Sequence, residues 1–354
     1  MSITPDKLDE MVRPNIQALA PYRSARDDFE TGLLLDANEN SYGSPFPEAS
    51  GLNRYPHPIP KELRTRIAKW RDVEPEQVFT GVGSDEAIDL LIRIYCEPGK
   101  GSILTTPPTY GMYNVSAKIH NITVHEIPLT ASFQVQTEAI LEKARTERPS
   151  ILFLCSPNNP TGNDLDRTQI LKLIELFPGL VVVDEAYIDF SKQESMAPMV
   201  RQYPNLVVLQ TFSKSFGLAG IRLGLAFAAP NVINWMLKVK SPYNINTLTA
   251  RMALKAFDHM EMIRFHIAEL RKERERVANA LGKLVAVETV FPSQANFLLF
   301  RIRDAEQVWK TLTEQGIIIR YRGNEPGCTN CLRATIGLPD ENDRLIRALQ
   351  SITS

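Results

Sequence analysis

The sequence predicts an α/β protein: a large domain on a mostly parallel seven-stranded sheet, plus a smaller α+β domain. Two patterns carry this. Between residues 76 and 230, seven short apolar runs alternate with stretches whose apolar residues recur at helical spacing. Runs that are apolar throughout belong to strands covered on both faces. Beyond residue 240 the alternation stops, and a long amphipathic helix leads into strand-like runs and a final helix.

Residues 1–45, rich in Pro and Asn, read as an N-terminal arm that contributes to the smaller domain. Residues 46–240 are the expected large domain. Its candidate strands are "QVFTG" (77–81), "SILTT" (102–106), "ITVHEI" (122–127), "SILFLC" (150–155), "LVVVD" (180–184), "LVVLQ" (206–210) and "LGLAFA" (223–228). "SDEAIDLLIRIY" and "RTQILKLIELF" lie between them as helices. Residues 241–354 form the smaller domain. Its long helix aligns Ile263, Ile267, Leu270, Val277 and Leu281 on one stripe, which leaves "RKERER" as a solvated face. "ANFLLFRI", "GIIIRYRG" and "CLRATIG" follow as strands.

Composition narrows the class. Hydrophobic residues make up 44% and charged residues 23%, ordinary values for a globular protein. Forty Lys and Arg against 41 Asp and Glu give a net charge of −1, with no basic excess for nucleic acid. The first residues, "MSITPDKLDEMVRPN", have no apolar core of a signal peptide, and no apolar run reaches the roughly 18 residues of a membrane span. A cytoplasmic protein is expected. The four cysteines do not make a disulfide framework in a chain this long. Cys328 and Cys331 form a CxxC without a second pair or nearby His, so it reads as a loop pair, with no metal expected.

In open α/β sheets, ligands gather beyond the carboxyl ends of the strands. After "QVFTG", Gly81 and Gly83 bracket a tight turn, and Ser84 or Asp85 can start a helix whose free N–H groups suit a phosphate. An ordinary capped helix reads the same way. After "SILFLC" comes "SPNNPTG", a turn-forming stretch whose adjacent amides can reach a ring oxygen. Asp184 ends a buried run, where a carboxylate wants a cationic partner, and Tyr187 follows three residues on. "TFSKSFGLAGIRLG" then supplies Ser213, Lys214 and Arg222. Together these residues specify a ligand with a phosphate, a cationic ring nitrogen, a ring oxygen and an aldehyde. Pyridoxal 5'-phosphate has all four.

The order "NPTG", D-x-x-Y and "SKSFGLAGIRLG" resembles the class I/II aminotransferases of fold type I, over essentially the whole chain. More narrowly the chain resembles the histidinol-phosphate aminotransferases, through "APYRSAR" (20–26), "DANENSYG" (36–43), "NRYPHP" (53–58), "GVGSDEAIDLLIR" (81–93), "PPTYGMY" (107–113) and "CLRATIG" (331–337). Ser41 departs from the Pro that usually follows Asn-Glu-Asn. The resemblance implies that Lys214 bonds the cofactor aldehyde and moves a proton, and that Asp184 pairs with the ring N–H. It implies that Tyr187 and Asn159 bind the ring oxygen, and that Tyr110 stacks on the ring. Ser84, Asp85, Ser213 and Arg222 would hold the cofactor phosphate. Tyr55 would reach that phosphate across the interface of a homodimer.

The resemblance also implies the substrates. Arg333 matches the arginine that clamps an α-carboxylate, for which a planar guanidinium is suited. The expected pair is L-histidinol phosphate with 2-oxoglutarate, in histidine biosynthesis. The phosphate ester asks for a second cation: Arg320 is the candidate, with Arg322 an alternative two residues on. Asn159 is also a substrate contact, and Tyr22 closes the pocket from the arm. An aromatic aminotransferase or a threonine-phosphate decarboxylase would share the cofactor site. A pyridoxal-phosphate-binding regulator would need a basic DNA-binding domain that this charge balance does not suggest.

Overall fold

The structure, a computed structural model, describes residues 3–29 and 31–353. The seven expected runs are seven strands: β1 (Val78–Val82), β2 (Ser102–Thr105), β3 (Thr123–Glu126), β4 (Ile151–Cys155), β5 (Leu180–Asp184), β6 (Leu206–Thr211) and β7 (Leu223–Ala228). They form one sheet in the order β1-β7-β6-β5-β4-β2-β3. Only β7 runs against its neighbours; the pairings among β2 to β6 are parallel.

The uninterrupted apolar runs have a direct cause. Successive side chains of a strand point to opposite faces, and here both faces are covered. Leu152, Leu154, Val181, Val183, Leu206 and Val208 enter one apolar cluster. Ile151, Phe153, Leu180, Val182, Val207 and Leu209 enter the other. Each such burial stabilises the fold by about 1.5–3 kcal/mol relative to exposure.

A second, antiparallel sheet has the order β10-β11-β9-β8, with β8 (Val287–Val290), β9 (Phe297–Ile302), β10 (Arg320–Tyr321) and β11 (Cys331–Thr335). Val277 and Leu281 of the helix Met260–Leu281 pack on it with Phe300, Leu312 and Leu349. Sequence reading did not anticipate β8, and it expected a longer strand at "GIIIRYRG". Only Arg320 and Tyr321 pair there, because Ile317 and Ile319 turn into the apolar cluster before the ladder begins.

Two further differences have clear packing reasons. Leu8, Val12 and Ile16 recur every four residues and pack on the large sheet's second cluster, where Trp235 also donates to Asp9 over 2.7 Å. The start of the arm therefore lies on the large sheet rather than on the smaller one. The "RKERER" run is not wholly solvated. Arg274 is buried and donates to the carbonyls of Ala295 at 2.7 Å and Phe190 at 3.4 Å. Those bonds satisfy a group whose burial would otherwise be costly. Among the described residues, no helix is long and apolar enough to cross a membrane.

Candidate active site

A cavity of about 760 Å³ opens beyond the carboxyl ends of β4, β5 and β6, and residues of the smaller sheet form its far wall. It brings together Ser84, Asp85, Tyr110, Asn159, Asp184, Tyr187, Ser213, Lys214, Arg222, Arg320, Arg322 and Arg333.

One end is built for an anion. The helix Gly83–Tyr95 begins at Gly83, a residue earlier than expected, and Val82 at its N-cap offers no side-chain cap. The first-turn N–H groups of a helix lack intrahelical partners, and the dipole there favours negative charge. Gly83 takes a positive φ of 73°, and a Cβ on it would meet Arg222 Nη2 at 2.7 Å. Gly224 of β7 lies against this turn so closely that any Cβ would overlap the backbone of Gly83 and Ser84. Arg222 points its guanidinium to the same end, 3.6 Å from Asp85, and its carbonyl accepts from Gly83 N at 2.9 Å. Tyr110 donates to Asp85 over 3.0 Å.

Asp184 ends β5 and is buried. Burial pushes its carboxyl up to about 6; hydrogen bonds from Tyr113 and from Ala186 N, at 2.7 and 3.1 Å, pull the other way. Among the described residues, no cation forms an ion pair with this carboxylate. Tyr187 is buried beside it, edge-on to Phe297 with centroids 5.2 Å apart.

Lys214 follows β6 between Phe212 and Phe216, whose rings touch at 4.1 Å and anchor the turn on either side. The next residue, Ser215, donates to Asp189 over 2.5 Å. Lys214 opens to the cavity, with Nζ 5.7 Å from the Tyr187 ring centroid. Its ammonium is held below the usual lysine range by desolvation first, then by the positive charges of Arg333 and Arg222. Ser213 is fixed by Thr211, whose hydroxyl donates to its Oγ at 3.0 Å and accepts from its N at 3.1 Å.

The loop after β4 distinguishes its two amides. Asn158 is buried, donates to the Pro108 carbonyl at 2.9 Å and to Thr161 at 2.6 Å, and accepts from Thr109 at 3.2 Å. It holds the loop. Asn159 faces the cavity and accepts a hydrogen bond from Arg333 Nη1. Arg333, on β11, pairs in register with Arg320 on β10. Burial lowers the Arg333 pKa, and the nearby Arg322 adds to that. Arg322 donates to Glu325 over 2.7 Å.

Two expected residues lie outside the cavity. Tyr22 is 72% exposed and lines a separate pocket with Pro58, Lys238 and Lys240. The arm here is steered by a capping box between Ser24 and Asp27, which starts the turn Ala25–Asp28 and carries Tyr22 away from the cavity of its own chain. Tyr55 is 52% exposed and stacks on Tyr243 at 4.7 Å. Its backbone N–H donates to Glu39, which also binds Arg26 and Arg54. Two residues escaped sequence reading, Tyr113 and Glu325.

The chain matches the family model "Aminotransferase class I and II" over residues 31–349. It is 44% identical over 347 residues to the histidinol-phosphate aminotransferase of Parabacteroides distasonis, covering 98% of this chain and 99% of that protein. With the enzyme of the same name from Flavobacterium johnsoniae it shares 45% identity over 348 residues, 97% of this chain and 98% of the other. The fold is shared with the crystal structure of histidinol-phosphate aminotransferase from Sinorhizobium meliloti in complex with pyridoxal-5'-phosphate. There the TM-score is 0.77 at 24% identity, over 90% of this chain and 89% of that one.

Proposed function

The chain belongs to the class I and II aminotransferase family, and from that premise we propose that it transfers the amino group of L-histidinol phosphate to 2-oxoglutarate. Pyridoxal 5'-phosphate is the cofactor. The observation that carries the reading is the cavity itself, where Lys214 and Asp184 share a wall with Arg222 and face Arg333 across the gap.

The residues present fit that cofactor. Free first-turn N–H groups, Ser213 and Arg222 suit its phosphate. Asp184 is buried and, among the described residues, has no ion-pair partner, so it suits a protonated ring nitrogen. Asn159 and Tyr187 line the cavity with groups that can donate to a ring oxygen, and Tyr110 offers a ring face for stacking. When bound, the cofactor supplies an electron sink for the pair released at the substrate Cα.

The chain's own groups do the rest. The lowered pKa of Lys214 lets its amine take a proton from the substrate Cα and return it elsewhere, in the manner of a general acid–base. Asp184 would supply the negative charge beside a protonated ring nitrogen. Arg333 orients the substrate through its anionic group, and Asn159 holds Arg333 in turn. The turn between Phe212 and Phe216 fixes Lys214 relative to both.

Tyr55 has no part in its own chain's cavity and sits exposed, which supports a homodimer in which it serves the partner subunit's cofactor. Tyr22, also exposed, then closes a pocket only in that assembly. We place the enzyme in the cytoplasm.

A half-reaction on the purified pyridoxal form tests this. L-histidinol phosphate, L-phenylalanine and L-threonine phosphate are added separately while absorbance follows conversion to the pyridoxamine form. Rapid conversion by histidinol phosphate alone is expected. Preference for phenylalanine makes the protein an aromatic aminotransferase, and carbon dioxide release from threonine phosphate makes it a decarboxylase.

A further inference from the structure

Behind the cavity wall runs a chain of polar side chains that the reaction does not use. Ser215, the residue after Lys214, donates to Asp189 over 2.5 Å. The other oxygen of Asp189 accepts from Arg71 Nη2 at 2.7 Å, and Arg71 Nε donates to Gln210 over 2.7 Å. Gln210 in turn donates to Glu185, the residue after Asp184, at 2.8 Å. Ser195 and the N–H of Met196 also donate to that carboxylate, at 2.6 and 2.7 Å. None of Arg71, Glu185, Asp189, Gln210 and Ser215 lines the cavity.

The path joins the neighbours of the two residues on which the cofactor reading turns. Successive residues of an extended chain point to opposite sides, so Asp184 faces the cavity while Glu185 meets the network. Lys214 and Ser215 divide in the same way. Thr211 holds Ser213 on one side of Lys214, and the network holds Ser215 on the other. Arg71 is itself clamped. Its guanidinium carbon lies 3.6 Å from the Trp70 ring centroid, and Trp70 packs edge-on against Phe216 at 5.1 Å. One guanidinium thus serves an amide and a carboxylate through different nitrogens of one plane, which a lysine ammonium cannot do.

We propose that Arg71 and Asp189 are positioning residues for Lys214: acting through Ser215, and tied by Gln210 and Glu185 to the Asp184 segment, they set the spacing between the lysine amine and that carboxylate. The inference rests on the cofactor reading above. In pyridoxal 5'-phosphate the ring nitrogen and the aldehyde stand at opposite ends of the ring, so the two groups that meet them must keep a fixed separation. The phosphate is held elsewhere, at the turn by Gly83 and Arg222, and does not depend on this network. Desolvation offsets much of the attraction within a buried ion pair, so the Arg71–Asp189 pair acts on geometry more than on stability.

The test uses cofactor-free protein, titrated with pyridoxal 5'-phosphate and, separately, with pyridoxamine 5'-phosphate, which keeps the ring and phosphate but has no aldehyde for Lys214. S215A and R71Q are expected to slow formation of the lysine-bound absorption band and to weaken pyridoxal phosphate by about tenfold, the scale of one hydrogen bond to a charged group. Pyridoxamine phosphate should bind within about threefold of the parent, since its contacts are not altered. R71K, which keeps the charge but loses the planar fork, should fall between. In the amine half-reaction of the holoenzyme, kcat should fall while KM is held. Equal losses for the two cofactor forms would make the network a structural support only and overturn the proposal. S215A removes a single oxygen and leaves the Arg71–Asp189 pair, so it decides the matter even if R71Q does not fold. A parent protein that forms no lysine-bound band overturns the cofactor reading and the proposal with it. Variants that match a band-forming parent overturn the proposal alone.

Discussion

Tyr113 donates its hydroxyl to Asp184 across 2.7 Å, with both side chains buried and the tyrosine ring stacked on Phe153 at 4.7 Å. Seventy-one residues of sequence separate the two. In the proposed function, the bond orients the carboxylate that would pair with the cofactor ring. Y113F removes the donor and leaves the packing, so the Asp184 pKa rises further above about 6. A hydrogen bond to a charged acceptor contributes about 2 kcal/mol, so cofactor affinity should fall roughly 30-fold. Equilibrium titration of the cofactor-free protein measures this, and an unchanged affinity would remove Tyr113 from the site.

Asp184 also predicts a pH effect on stability. Its carboxyl holds a proton to about pH 6 in the native state but only to its ordinary value of 3.8 when unfolded. Between those values the native state binds more protons, so its stability falls as pH rises. In the cofactor-free protein, D184N should therefore be more stable than the parent near neutral pH, by about 3 kcal/mol. That advantage should vanish below pH 4. Thermal melts across the range check it, and the same variant should bind the cofactor far more weakly.

K214A should abolish covalent cofactor attachment and turnover together, while the protein still folds. Lys214 opens to the cavity and sits against two like charges, so its removal relieves repulsion from Arg333 and Arg222. Loss of the lysine-bound absorption band with full transamination retained would contradict the mechanism.

R333K should weaken histidinol phosphate and glutamate alike. A lysine keeps the charge but loses the fork that spans a carboxylate, and it cannot hold both Asn159 and the substrate in one plane. A fall in kcat/KM of roughly tenfold or more is expected for each half-reaction. An unaltered glutamate KM would contradict the assignment.

G224A tests the anion end of the cavity. No room exists for a Cβ between β7 and the first turn of the helix Gly83–Tyr95. Either the strand or the turn must move, at a cost of about 1–3 kcal/mol by analogy with overpacked cores. Cofactor affinity should fall with stability; a variant that keeps both would show that the turn is not held by this contact.

Much of this protein was legible in its residues. All seven strands of the large sheet lie within two residues of the runs that foretold them; in the inner strands the reason is that two-sided burial demands continuous apolar sequence, whereas the edge strand β3 is partly exposed. The polar residues Asp184, Ser213, Lys214 and Arg222 stood out because each lies at or within a few residues of the end of a run that water does not reach. These are local signals, and the sequence by itself determined them. The tertiary structure alone decided which side chains meet. It tied Asn158 into the loop, gave Asp184 its donor in Tyr113, and buried Arg274 against two carbonyls. It also brought Arg333 to Asn159 across 174 residues. Each of these outcomes depends on the direction of a side chain relative to a distant element, and periodicity along the chain carries no information about that direction.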